Sequence, residues 1–83
     1  MNGRVTLIGK PGCHLCDVAR QVVELVCADE DLDFLELDVT EDPFLASEYA
    51  DAVPLVLVDG VEVGRFRVSP DAIRTALQRP SHD

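Results

Sequence analysis

Two thiols two residues apart, in Cys13-His14-Leu15-Cys16, are the side chains of this sequence best suited to chemistry. Sulfur attacks as the thiolate. The first cysteine stands where a strand-like run, Val5-Thr6-Leu7-Ile8, gives way through Gly9-Lys10-Pro11-Gly12 to a long apolar-periodic segment. A helix N-terminus at that place offers unpaired N–H groups and a partial positive charge, and both stabilise an anion. One turn on, the second thiol can close a disulfide and release whatever the first has captured. Cys13 is therefore the expected nucleophile, and Cys16 the resolving thiol, less exposed and harder to ionise. Lys10 adds a positive charge near the first sulfur. His14 either favours the Cys13 thiolate when protonated or is a solvated first-turn residue. Asp17 is best read as a favourable first-turn charge on the helix dipole.

The third cysteine does not join this pair. If one helix runs from residue 13 to 28, Cys27 lies roughly 16 Å beyond Cys16, at about 1.5 Å per residue. A disulfide needs Cα atoms within about 7 Å. Cys27 reads as a small core filler at the end of the helix, or else as an exposed thiol open to mixed-disulfide formation. Zinc needs four ligands, and only Cys27, His14 and His82 remain beside the pair, so no metal site is expected. Three cysteines are also too few for a secreted disulfide framework.

The elements that must hold the pair follow from periodicity. Arg4 to Ile8 reads as a buried strand. Leu15, Val18, Ala19, Val22, Leu25 and Val26 recur at helical spacing, which predicts a helix from Cys13 to Ala28 ended by the solvated turn Asp29-Glu30-Asp31. Phe34 to Val39 is a second strand, parallel to the first across a right-handed crossover. Thr40 is predicted to cap a shorter helix through Ala50. Pro54 to Val58 and Val61 to Phe66 form a hairpin about Asp59-Gly60. Ser69-Pro70 caps and starts a last helix with Ala72, Ile73, Ala76 and Leu77 on its apolar side, stopped by Pro80 before a fraying Ser81-His82-Asp83. The order is βαβαββα: one α/β domain, residues 1–83, with a four-stranded mixed sheet flanked by helices.

Composition narrows the partners. The chain has 83 residues, 47% of them hydrophobic and 5% aromatic, so aliphatic side chains must fill the core. A formal charge of −9 argues against nucleic acid, whose affinity comes from Lys and Arg on phosphates. No apolar run suits a signal peptide or a membrane span, so a cytoplasmic, membrane-free protein is expected. No long exposed apolar stripe demands an oligomer, and a monomer is expected.

With this order and a Cys-x-x-Cys at the first strand–helix junction, the chain resembles the glutaredoxins of the thioredoxin-fold superfamily from about Arg4 to Leu77. Lys10 stands three residues before Cys13, as the family's loop lysine does. Val53-Pro54 resembles the family's valine–proline, whose proline is cis. Val58-Asp59-Gly60-Val61-Glu62-Val63-Gly64 resembles the hairpin before the family's glycine pair. The resemblance implies a thioredoxin-like fold and dithiol–disulfide exchange with protein or small-molecule disulfides. It implies recycling by glutathione, another low-molecular-weight thiol or a flavoprotein reductase, and no bound cofactor. A cis bond leaves the Val53 backbone N–H and C=O facing the Cys pair, ready for a strand-like substrate. Lys10, Val53, Pro54, Gly64 and Arg65 are the implied substrate-binding residues, with Arg67 also near the rim. The chain departs from the family at three places. Ala52 replaces a threonine, Arg65 replaces the second glycine, and Arg67-Val68 replaces a polar residue and an aspartate. No Arg or Gln stands within Glu48–Ala52. These are glutathione-contact positions, so disulfide exchange is better supported than glutathione as reductant. A redox-inactive adaptor that docks partners through the Pro54 groove is the alternative. An iron–sulfur carrier is disfavoured, because the Gly-Phe-Ser run of such members is absent.

Overall fold

The structure, a computed structural model, describes residues 4–79. The predicted helix stop at Pro80, the fraying tail and His82 lie outside the described residues. Strand β1 (Val5–Gly9) leads to helix α1 (His14–Asp29), strand β2 (Phe34–Asp38) and a 3₁₀ turn over Val39–Glu41. Helix α2 (Pro43–Tyr49), strands β3 (Leu55–Val58) and β4 (Val61–Arg65), and helix α3 (Pro70–Leu77) follow. The sheet order is β2-β1-β3-β4, with β1 and β2 parallel and the other pairs antiparallel.

Strand alternation divides the core between the two faces of the sheet. Val5 and Leu7 of β1, with Val56 and Val58 of β3, pack under α1 and α3 against Ala19, Val23, Val26, Cys27, Ile73 and Leu77. Ile8 and Leu55 face the other way, with Val39 and Val53, and are covered by Leu45 and Tyr49 of α2. Cys16 reaches from the start of α1 into this second cluster.

Helix α1 differs from its predicted phase and bounds. Its buried stripe is Cys16, Ala19, Val23, Val26 and Cys27, while Val18 and Leu25 are exposed. Once Cys16 points inward at the first turn, residues three, seven, ten and eleven further on must follow it. Cys13 is the N-cap, one residue outside the helix, in extended conformation. At the other end the helix runs on through Asp29. A carboxylate there opposes the dipole, and Arg74 of α3 meets it at 2.6 Å.

The second helix also starts differently. Thr40 lies inside the 3₁₀ turn, where Asp38 accepts both its N–H (2.8 Å) and its hydroxyl (2.6 Å). Asp42 takes the cap, accepting from the N–H groups of Phe44 and Leu45. A residue before proline is pushed to extended backbone, and Pro43 at the first helical position has no N–H to satisfy, so the helix cannot begin earlier. Helix α3 starts as its sequence predicts, on Ser69 and Pro70.

Each end of the hairpin carries a backbone device. Asp59 and Gly60 both have positive φ, as a two-residue type I′ turn requires. Farther along, Val56 opposes Gly64 and Leu57 opposes Glu62, so Val63 is the extra residue of a β-bulge. Arg4 lies just before β1 and holds the hairpin tip: its guanidinium binds Asp59 at 3.0 and 2.8 Å and donates to the Arg79 carbonyl. Replacing the fully buried Ile73 by alanine is expected to cost about 2–5 kcal/mol, measured by denaturant unfolding. A cost below about 1 kcal/mol would mean that α3 contributes little to the main core.

Candidate active site

The two thiols meet at the pole where β1 ends and β3 begins. Gly9 closes β1, and Lys10-Pro11-Gly12 crosses to the helix, with Gly12 at φ +70°. Cys13 then caps α1 with its sulfur: Sγ accepts a hydrogen bond from the Cys16 N–H at 3.2 Å. A serine or aspartate oxygen usually takes this role, and in α1 it falls to the group that must carry negative charge to react. Cys13 is half-buried and packs against the second cluster, as Leu37, Leu45, Tyr49 and Leu57 also do.

Cys16 is only 1% exposed. Its thiol pKa is pushed up to about 11, first by burial, then by its hydrogen bond to the Cys13 sulfur and the charge there. A backbone hydrogen bond from Lys10 and the Lys10 charge act in the opposite direction, by less. Gly9 is built closely against this thiol, since a Cβ there would lie 3.3 Å from both Cβ and Sγ of Cys16. No sequence signal distinguished Gly9 from the other loop glycine.

The Val53–Pro54 bond is cis, and both residues are buried. Val53 belongs to the same cluster as Cys16, and neither its N–H nor its C=O has a partner among the described residues. Pro54 is fixed from the other side, where its carbonyl accepts from the Phe66 N–H at 2.7 Å. Gly64 pairs with Val56 in the sheet, and a Cβ there would lie 3.6–3.7 Å from Val68, in ordinary contact. Arg65 is drawn along its own strand: it forms a two-pronged pair with Glu62 at 2.8 and 2.7 Å. Its pKa is raised first by that pair and only slightly by Tyr49, which stands in the segment that lacks Arg and Gln. Among the described residues Lys10 and Arg67 have no ion-pair partner, and both are exposed, as is His14.

Cys27 lies apart from the pair, buried toward the far end of α1, and its pKa is raised by that burial and by Asp33. Among the described residues no group of three His, Cys, Asp or Glu side chains could hold a metal ion, and no helix is long and apolar enough to cross a membrane.

A thiol cap beside a buried second thiol, on a sheet of this order, defines a thioredoxin-like protein of the glutaredoxin type. Residues 4–79 match the Glutaredoxin-like domain (DUF836), and the chain belongs to that family. It is 33% identical over 82 residues to an uncharacterized protein of Mycobacterium tuberculosis, covering 92% of this chain and 84% of that one. The solution structure of protein Ne2328 from Nitrosomonas europaea superposes with a TM-score of 0.73 at 19% identity, covering 90% of this chain and 91% of that one. Thioredoxin 1 from Thermosipho africanus does so with a TM-score of 0.62 at 20% identity, covering 89% and 93%. At those identities the two structures speak for the fold alone.

The raised Cys16 pKa carries a stability consequence of definite sign. Between the ordinary value of 9.0 and about 11 the folded chain keeps a proton that the unfolded chain has lost. The contribution is therefore full below pH 9 and disappears as pH rises toward 11. Unfolding of the reduced protein from about pH 8 to 11 should show the wild type losing on the order of 2 kcal/mol more than Cys16→Ser. Parallel curves would mean that Cys16 ionises as a solvated thiol does.

Proposed function

We propose that the protein is a dithiol–disulfide oxidoreductase. The observation that carries this reading is the Cys13 sulfur held at a helix cap while Cys16 waits, buried and protonated, beside it. The Cys13 thiolate attacks one sulfur of a protein or low-molecular-weight disulfide. A Cys13–substrate disulfide forms, and the other substrate sulfur leaves as a thiolate that takes up a proton. In that intermediate the Cys13 sulfur has lost its charge, so two of the influences that hold the Cys16 proton weaken while both Lys10 contributions remain. Cys16 then gives up its proton to solvent and attacks the Cys13 sulfur. The Cys13–Cys16 disulfide forms, the second substrate thiolate departs, and two electrons have passed to the substrate.

The unpartnered N–H and C=O of Val53 are suited to an extended substrate segment docking in strand fashion. A low-molecular-weight thiol such as glutathione, or a flavoprotein reductase of the thioredoxin-reductase type, restores the dithiol in a reducing, cytoplasmic setting. The second is favoured, because Ala52 offers no side-chain donor and Glu62 occupies Arg65.

Activity is tested with an insulin or small-molecule disulfide, supplying electrons through glutathione and its reductase or through thioredoxin reductase. Cys13→Ser is expected to lose at least about 100-fold in rate, as loss of a nucleophile does. Cys16→Ser should instead accumulate a Cys13–substrate adduct visible by mass spectrometry. A Cys13→Ser variant at wild-type rate would remove the mechanism. A wild-type pair that cannot cycle between dithiol and disulfide would favour a docking adaptor.

A further inference from the structure

We propose that Phe66 is a specificity-determining residue of this site, an apolar shelf for the side chain that flanks the reacting cysteine of a peptide or protein disulfide. The inference rests on the oxidoreductase reading above and narrows its substrate to a class. Its starting point is backbone conformation. Among the described residues, three other than glycine have positive φ: Asp31, Asp59 and Phe66, at 57°, 52° and 65°. Aspartate tolerates that region because its short polar side chain can bond locally, whereas an aromatic residue has no such relief. The turn is also tight, since the Arg67 N–H reaches back to the Arg65 carbonyl at 2.8 Å and leaves Phe66 alone at its apex. A γ-turn with its central residue at positive φ is the rarer and more strained hand.

Phe66 is 44% exposed and belongs to neither core cluster. Glycine would adopt this backbone conformation without steric penalty and keep the same backbone hydrogen bonds. An aromatic ring presented to solvent from a strained turn points to a use for the ring itself. Its place supplies one. The Phe66 N–H is bonded to the Pro54 carbonyl, one residue beyond the unpartnered Val53 backbone. An extended segment pairing with Val53 therefore runs beside the turn. Its side chains alternate, so when the substrate cysteine faces Cys13 the adjacent side chain is turned to the flank. Arg65 is drawn away to Glu62, which leaves Phe66 as the apolar surface there. A ring with two rotatable bonds offers contact area at small entropic cost.

The test compares reduced wild type with Phe66→Gly and Phe66→Leu. One substrate is a peptide disulfide with leucine beside the cysteine; the other is bis(2-hydroxyethyl) disulfide, which has no flanking side chain. In Phe66→Gly the ratio of kcat/KM for the peptide over the small disulfide should fall about tenfold. Phe66→Leu should keep that ratio within about threefold of wild type, because an apolar surface remains. An unchanged ratio in Phe66→Gly overturns the inference while the oxidoreductase reading stands. Wild type that reduces neither disulfide overturns both.

Discussion

The hydrogen bond from the Cys16 N–H to the Cys13 sulfur decides more than local geometry. An N-cap fixes where a helix begins, and the beginning fixes its phase. Because Cys13 is the cap, Cys16 falls on the inner side of the first turn, and Ala19, Val23, Val26 and Cys27 follow it into the core. Reactivity and packing are thus tied to one contact. The half-buried sulfur is fed by an N–H group, and the fully buried one is kept protonated by the apolar surroundings that make it part of the core. A rotated helix would expose the second thiol and spoil the hydrophobic stripe together.

The charge pattern is economical in a similar way. With 16 acidic and only seven basic residues, most arginines are occupied. Arg20 spans Asp17 and Glu36, tying the first turn of α1 to β2, while Arg74 ties α3 to the end of α1. Both join helices to their neighbours at the rim of the sheet. Each lies at the surface and contributes modestly to stability, and among the described residues Lys10 and Arg67 are the positive charges without an ion-pair partner around the thiol pole.

Much of this architecture was readable from residue spacing because the signals were local and mutually consistent. Ser69-Pro70, Asp59-Gly60 and the Cys-x-x-Cys each define a start or a turn within a few residues, and each stands where the pattern puts it. The errors came where two local signals competed or where tertiary contact decided. Thr40 and Asp42 are both plausible caps, and Pro43 settles the matter through the backbone it imposes on Asp42. Val18 and Leu25 fit a helical stripe as well as their neighbours do, and the inward turn of Cys16 excludes them. The Glu62–Arg65 pair, the bulge at Val63 and the positive φ of Phe66 depend on the register of β3 with β4, which no short window contains. The ion pair that engages Arg65 was therefore not legible in the sequence.

The contacts of Arg4 place the domain's mechanical fastening far from its chemistry. Its guanidinium gathers the start of β1, the β3–β4 tip and the end of α3 at one pole, while the thiols and Pro54 occupy the other, because β1 and β3 run in opposite directions between them. The length of both central strands separates the clamp from the sulfur cap. Rigidity and reactivity are consequently separable traits in this molecule. Substitutions around Arg4 and Asp59 can harden or soften the scaffold over generations while the thiol pole keeps its own tuning.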